Sequence, residues 1–396
     1  TPGWLNGGSG RAANVSGAFK SPYGVGLAGD NRLLVADTNN NRVQVFDAQT
    51  GLFVSSIGAS GVTSGQYNQP LFVGFADDQV LIADSSNARI QKSGLNGEFI
   101  AQIRPDTSLL NTRPGRIVVD SVRRRVYVLD TDDGSISVFG LDGSVIEIIG
   151  SSGAGSSQFY KPEGLALDGK GNLYVADTGN ARIQIISPEG SFSGHWGVYG
   201  TGGGQFVRPV ALAVSPDSRH LYVVDRDLHR VQKFTVSGQF VKGWGSNGAS
   251  DDHFKNPSGI ACSRNGELYI ADTGNHRIKK YSAEGVLIGW WGSYDAGAQS
   301  FWLDPGSQKT GAVSDSDGGF DTPVDVAVDS EGHVFVADSG NFRVQKFASE
   351  QAERLAGGFI TEIYLGESLS ALSSDAWATV YAVTESNFVR RFFPEP

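Results

Sequence analysis

A chain of 396 residues is too long for one small hydrophobic core, so it folds as two or three domains or as one repetitive architecture. Its 53 glycines, 39% apolar residues and 19% charged residues suit a globular protein with many tight turns, and no apolar run reaches the length of a membrane span. A net charge of -10 argues against a protein whose main work is neutralising nucleic-acid phosphates.

From the N-terminus, the first pieces are "GWL" around Trp4 and the acceptor sequon Asn14-Val15-Ser16. A repeat then begins. Asp37 ends the run "RLLVAD" and opens the turn "DTNNNR", and equivalent aspartates follow at Asp84, Asp130, Asp177, Asp225, Asp272 and Asp338, with Thr384 in a degenerate eighth copy. The steps are 47, 46, 47, 48, 47, 66 and 46 residues, so one interval alone is irregular, being long by about 19.

Each unit reads alike. A proline precedes an alternating apolar run such as "GLALD", a Gly/Asn turn leads to "NLYVAD", and the turn "TGNA" leads to "RIQII". A glycine-rich reversal then reaches a last run ending in "HWG", "GWG" or "WWG". Alternation with period two between Gly, Asn and Asp punctuation predicts four short antiparallel strands per unit, which is a propeller blade.

The motif Asp-x-x-Asn-x-Arg appears as "DTNNNR", "DSSNAR", "DTGNAR", "DTGNHR" and "DSGNFR", with departures in "DTDDGS", "DRDLHR" and "TESNFV". Over nearly its whole length the chain therefore resembles the NHL-repeat family of β-propellers. The Asp is expected to accept hydrogen bonds from turn N–H groups, with the turn Asn or Gly at positive φ. The Arg is expected to pair with a carboxylate or carbonyl at a neighbouring blade. A group needed in most units reads as a structural joint rather than a ligand site.

A second ruler counts the blades. Outer-strand endings fall near Trp4, Ile57, Ile103, Ile149, Trp196, Trp244, Trp291 and Ala356. The expected fold is thus an all-β propeller of four-stranded antiparallel blades, one domain over residues 1–396, with eight blades and the ring closed by the N-terminal strand. A seven-bladed ring with a decayed tail is the alternative.

Residues just after the repeat proline mark the channel mouth: Tyr23, Leu71, Gly115, Glu163, Val210, Ser258, Val324 and Ser370. None is a histidine, so the zinc set of the amidating lyases on this repeat is absent, and His195, His220, His229, His253, His276 and His333 read as structural or surface groups. Related propellers include calcium-dependent lactonases and esterases, and Glu163 is the one mouth carboxylate, without an evident companion. No nucleophile elbow or phosphate loop appears. Cys262, the single cysteine, reads as a buried small hydrophobe, and Arg123–Arg125 as a solvated turn.

The irregular interval is an inserted loop at about 293–320. Its first half offers Tyr294, Phe301, Trp302 and Leu303 as binding residues, either folded down as a flap or presented to a partner. Its second half offers Asp315, Asp317 and Asp321 with Asp-x-Asp-Gly spacing that resembles a calcium loop, though no Glu stands at the twelfth position. Beyond that calcium candidate no cofactor is indicated.

The sequence favours a binding or assembly module over an enzyme. It would present rim loops to a protein partner, to a copy of itself or to a glycan, with no nucleic acid and no membrane span. A metal-dependent hydrolase or lyase in the channel is the alternative, and an RNA-binding propeller of the TRIM-NHL kind is disfavoured by charge. The lack of methionine fits a processed chain working in an extracellular or periplasmic setting.

Overall fold

The computed structural model describes residues 25–28, 32–47, 53–76, 79–87, 89–103, 114–120, 122–140, 145–292, 301–303, 319–328, 332, 334–338, 343–347, 359–364, 369–374 and 380–384. Within them the chain is all β apart from four three-residue 3-10 turns. Six antiparallel sheets have four strands in sequence order, spanning 25–57, 70–103, 114–149, 164–196, 209–244 and 323–364, and the sheet at 260–303 has five. Residues 369–384 add a two-stranded sheet. First strands of successive units lie against one another, so the sheets are arranged side by side about their inner edges.

Unit four shows how one repeat is built. Its strands are Gly164–Leu167, Leu173–Asp177, Arg182–Ile186 and Phe192–Trp196. The second strand is buried along its whole length, because sheets pack on both its faces. The motif ends it: Asp177 and Arg182 are the last register partners of the hairpin, joined by the 3-10 turn Thr178–Asn180. Five other units close the same hairpin with Asp opposite Arg, while unit three places Asp130 opposite Ser135.

The structure corrects two details of the expected joint. Asp177 does not cap its own turn; its Oδ1 accepts from the Tyr160 N–H in the connector that enters the unit, at 2.7 Å. Turn N–H groups take that role in unit three, where Asn and Arg are missing and Asp130 Oδ1 accepts from Asp132 and Asp133. Positive φ falls on the last residue of the turn, which is the expected Asn or Gly at Asn41 and Gly134 but Ala181, His229 and His276 in units four, five and six. Gly179 is needed for space instead: an added Cβ would stand 2.6 Å from Tyr160 O.

Connectors carry an aromatic anchor. Tyr67, Phe159, Phe206, Phe254 and Phe320 are all fully buried, each removing roughly 2–3 kcal/mol worth of apolar surface from water. Phe206 joins a core built from Tyr174, Ile183, Leu221 and Phe234, so it seals unit four to unit five. After four outer strands a glycine, Gly58, Gly150, Gly197 or Gly245, lies beneath such a ring: Gly197 has φ +94°, and a Cβ there would stand 2.6 Å from Phe206. In "HWG" and "GWG" the glycine is a seat for the next unit's aromatic.

Three further expectations change. Leu303, Trp302 and Phe301 lie in a fifth strand of the sixth sheet rather than a loop, pairing with Trp290, Trp291 and Gly292. The outer strand of unit seven is Phe359–Tyr364 rather than a run at Ala356, because the alternating "FITEIY" pairs in register with Arg343–Phe347 and "AGG" lacks strand propensity. Cys262 is half-buried, packed against the core between units five and six, and burial pushes its thiol up to about 12. Trp4 and Asn14 lie outside the described residues.

Candidate functional site at the turn rim

Antiparallel pairing brings the start of the first strand, the motif turn, the start of the third strand and the end of the outer strand to one end of each sheet. This common end is the turn rim, and side chains staple it from unit to unit. Thr131 Oγ1 donates to Pro162 O at 2.9 Å and Thr178 Oγ1 to Pro209 O at 2.7 Å. In unit six the relay is longer: Ser258 Oγ donates to Val324 O and lies 2.6 Å from Thr273 Oγ1. His229 and His276 belong to the same scheme, each Nδ1 accepting an N–H from the residue before the next proline, Asn256 and Thr322.

The motif Arg completes the joint. Arg182 Nε donates to Asp177 Oδ2 at 2.7 Å, while Nη2 donates to Gly155 O and Gln158 O in the entering connector. Asn180 and Gln184 also donate to the Asp177 carboxylate, which is fully buried. Arg89 repeats the pattern on Asp84, Val62 O, Thr63 O and Gln66 O. The expected partner therefore divides in two: the carboxylate belongs to the Arg's own hairpin, and the carbonyls belong to the segment arriving from the previous unit.

On this rim a cleft of about 720 Å³ opens across units four to seven, at the ends of their first strands. Glu163, Val210, Ser258 and Val324, four of the expected mouth residues, line it together with Arg208, Arg226, Asp227, Asn256, Thr273 and Asp325. Glu163 thus has companions after all: Arg208 Nη2 lies 3.0 Å from its Oε1 and Arg226 Nη1 3.9 Å from its Oε2. Both guanidinium groups stay partly exposed to the cleft.

Two of these lining residues are the departures that make "DRDLHR" look like a worn copy of the motif. Arg226 stands where other units have Thr or Ser, and Asp227 where unit four has Gly179. The joint beneath is looser: Arg230 lies 3.8 Å from Asp225, and Leu228 replaces the bridging Asn. Burial pushes the Asp225 carboxyl up and the Arg230 guanidinium down from their ordinary values. Asp325, two residues after its proline, likewise occupies a position held by Gly in units four and six, and its carboxylate lies where a Cβ on Gly259 would be 2.7 Å from Oδ1. Sequence reading passed over Arg208, Arg226, Asp227 and Asp325; Arg226 signalled itself by departing from Thr or Ser, whereas Arg208 has the basic counterparts Arg113 and Lys161 and Asp227 the counterpart Asp132.

Unit six departs differently. Lys279 replaces the Gln of the joint and is fully buried, with Nζ donating to Asp251 O, His253 O and Tyr281 Oη and lying 4.4 Å from the centre of the Phe254 ring. Burial, helped by Arg277, lowers its ammonium to about 7 against the pull of Asp272, Asp251 and Asp252. Trp290 is also fully buried, whereas its register equivalents His195 and Gly243 are exposed. The difference coincides with the inserted segment, whose strand Phe301–Leu303 lies alongside. Among the inserted acids, Asp321 lies 3.3 Å from His276 Nδ1 and accepts from Thr322 Oγ1. Asp315, Asp317 and Tyr294 lie outside the described residues.

Comparison with known proteins agrees with this geometry. NHL repeat models match residues 159–186, 206–234, 254–281 and 320–347, and a model described as a 6-bladed beta-propeller matches residues 19–115. Over 141 residues the chain is 28% identical to Protein brain tumor of Drosophila melanogaster, covering 35% of this chain and 13% of that protein. Among solved structures, hydrazine synthase of Kuenenia stuttgartiensis has a TM-score of 0.55 at 15% identity, covering 82% of this chain and 95% of that one. Virginiamycin B lyase from Staphylococcus aureus has 0.52 at 14% identity, covering 81% and 92%. At such identities these two likenesses show the fold alone. Each matched repeat begins on a buried connector aromatic and runs to the end of the third strand, taking in the whole joint, and the chain belongs to the NHL-repeat β-propeller family.

Proposed function

We propose that this protein is a binding propeller that recognises a protein partner with its turn rim. One observation carries the reading: the units that depart from the repeat do so on the same rim, unit five at Arg226 and Asp227 and unit six through the segment that follows Trp291. Repeat folds place recognition where single units diverge, since rim changes leave the packed core intact. Tyr294, Phe301, Trp302 and Leu303 are the proposed aromatic and apolar contact residues of that segment. The scaffold in this reading is an eight-bladed ring in which Trp4 supplies the last outer strand; packing of Val25–Ala28 against Leu369–Ser374 and Val380–Thr384 supports closure between first and last units.

Lysine-directed cross-linking in native extract tests the reading, because Lys161 and Lys255 are exposed on the turn rim and Lys170 is exposed on the opposite rim. Partner peptides linked to Lys161 and Lys255 but not to Lys170 are expected. Links confined to Lys170 would assign recognition to the other face.

A further inference from the structure

We propose that the cleft between units four and seven is a binding site for a short zwitterionic peptide. Its carboxylate would lie on Arg208 and Arg226 and its ammonium group at Asp325. This site is separate from the aromatic segment and does not depend on the identity of the rim's protein partner.

The arrangement of charge leads to this assignment. The cations stand at the unit-five end, drawn together by Glu163 of unit four, and Asp325 stands at the unit-seven end. Two guanidinium groups side by side suit a carboxylate, which takes planar paired hydrogen bonds. The described lining carries three carboxylates, Glu163, Asp227 and Asp325, against two guanidinium groups, so a polyanion gains little there. A ligand with one charge of each sign, held apart, matches both ends. Among the described lining residues none is aromatic, so they offer a sugar no stacking platform. A volume of about 720 Å³ lies within the range of small-molecule sites and has room for a short peptide.

The second line comes from the repeat itself. Arg226 replaces the Thr or Ser of the others among the first seven units, and Asp227 and Asp325 stand where units four and six have Gly. Unit five also has the longer ion pair, 3.8 Å where other units hold 2.6 or 2.7 Å. A unit that departs from the repeat at a cleft is where local stability is exchanged for function.

Calorimetric titration of the full chain with trialanine, N-acetyl-trialanine, trialanine amide and alanine tests the proposal. Saturable binding of trialanine is expected, weaker by about tenfold or more when either end is blocked and weaker again for alanine, since each charged end makes charge-assisted hydrogen bonds. The variant Arg226→Thr/Asp227→Gly/Leu228→Asn gives unit five the "DTGNHR" of unit six, so it is expected to fold and to lose about tenfold or more in affinity. Asp325→Asn is the second variant, expected to weaken trialanine and leave trialanine amide's deficit unchanged. Absence of heat with all four ligands, equal binding of blocked and free peptides, or unchanged affinity in both variants would overturn the proposal. If titration fails while cross-links still map to Lys161 and Lys255, the cleft proposal falls and the partner-binding rim stands.

Discussion

Arg182 and Asp177 face each other as the last register pair of a hairpin, and the guanidinium that holds the carboxylate through Nε reaches with Nη2 into the connector from the preceding unit. One side chain therefore fastens two things: the hairpin it begins and the segment that hands the chain from sheet to sheet. The carboxylate is fully buried and saturated by Tyr160 N–H, Asn180, Arg182 and Gln184. Such a network stabilises only while complete, because a buried charge that loses its partner keeps the full desolvation cost.

Arg182→Ala is accordingly expected to destabilise the protein by about 3 kcal/mol or more, read as a lower denaturant midpoint. Arg182→Lys should recover only part of this, since an ammonium cannot serve the carboxylate and two carbonyls with fixed forked geometry. Recognition by the folded fraction should be unaltered. A midpoint equal to the parent's in both variants would remove the joint from the list of what holds the propeller together.

Lys279 gives the sixth unit a pH-dependent stability. Its native ammonium lies at about 7 and its unfolded one near the ordinary 10.5, so between those values the unfolded chain holds more protons and stability rises with pH. The slope is at most about 1.4 kcal/mol per pH unit from this group, and its penalty is complete below about pH 7. Lys279→Gln restores the residue of units one, two, four, five and seven and should flatten the curve between pH 7 and 10 relative to the parent. Parallel curves for the two proteins would show that the buried amine does not titrate in this window.

The inserted segment and Trp290 are linked by burial. Replacing residues 295–314 with a short Gly/Ser turn removes the strand Phe301–Leu303 that pairs with Leu287–Gly292. Trp290 should then become accessible to a collisional quencher while the rest of the fold melts cooperatively. Unchanged quenching would mean that neighbouring units alone bury Trp290.

Much of this was legible beforehand because repetition multiplies weak signals. Asp177 or Arg182 taken singly says little, but six hairpins ended by the same pair locate strands, turns and rim. The excess length after Trp291 was visible for the same reason. What escaped notice followed from two kinds of blindness. Phe206 and Gly197 lie nine residues apart in separate pieces of punctuation, and only the fold shows one seated on the other. Arg226 and Asp227 read as decay, since a departure shows what a position has lost and not where its new side chain points. Glu163, Arg208, Arg226 and Asp325 span 163 residues of chain and meet only because first strands of successive units are neighbours.

In unit five, Leu228 leaves the Asp225 carboxylate without the two Asn bonds that Asp177 receives, and the Arg230 pair is long at 3.8 Å. Arg226→Thr/Asp227→Gly/Leu228→Asn restores a bridging Asn, a turn glycine and a hydroxyl able to reach toward the next unit, as Thr178 reaches Pro209 O. The pair should close, and the Asp225 carboxyl should fall from its raised position as its charge gains donors. Stability should rise by about 1–2 kcal/mol in denaturant titration at neutral pH, the worth of one or two added charge-assisted bonds. Because the carboxyl's raised native value penalises its ionised form, the gain should shrink as pH falls into the carboxylate range. A variant less stable than its parent at neutral pH would show that Arg226 and Asp227 support the rim, and that the worn appearance of unit five conceals a joint of its own.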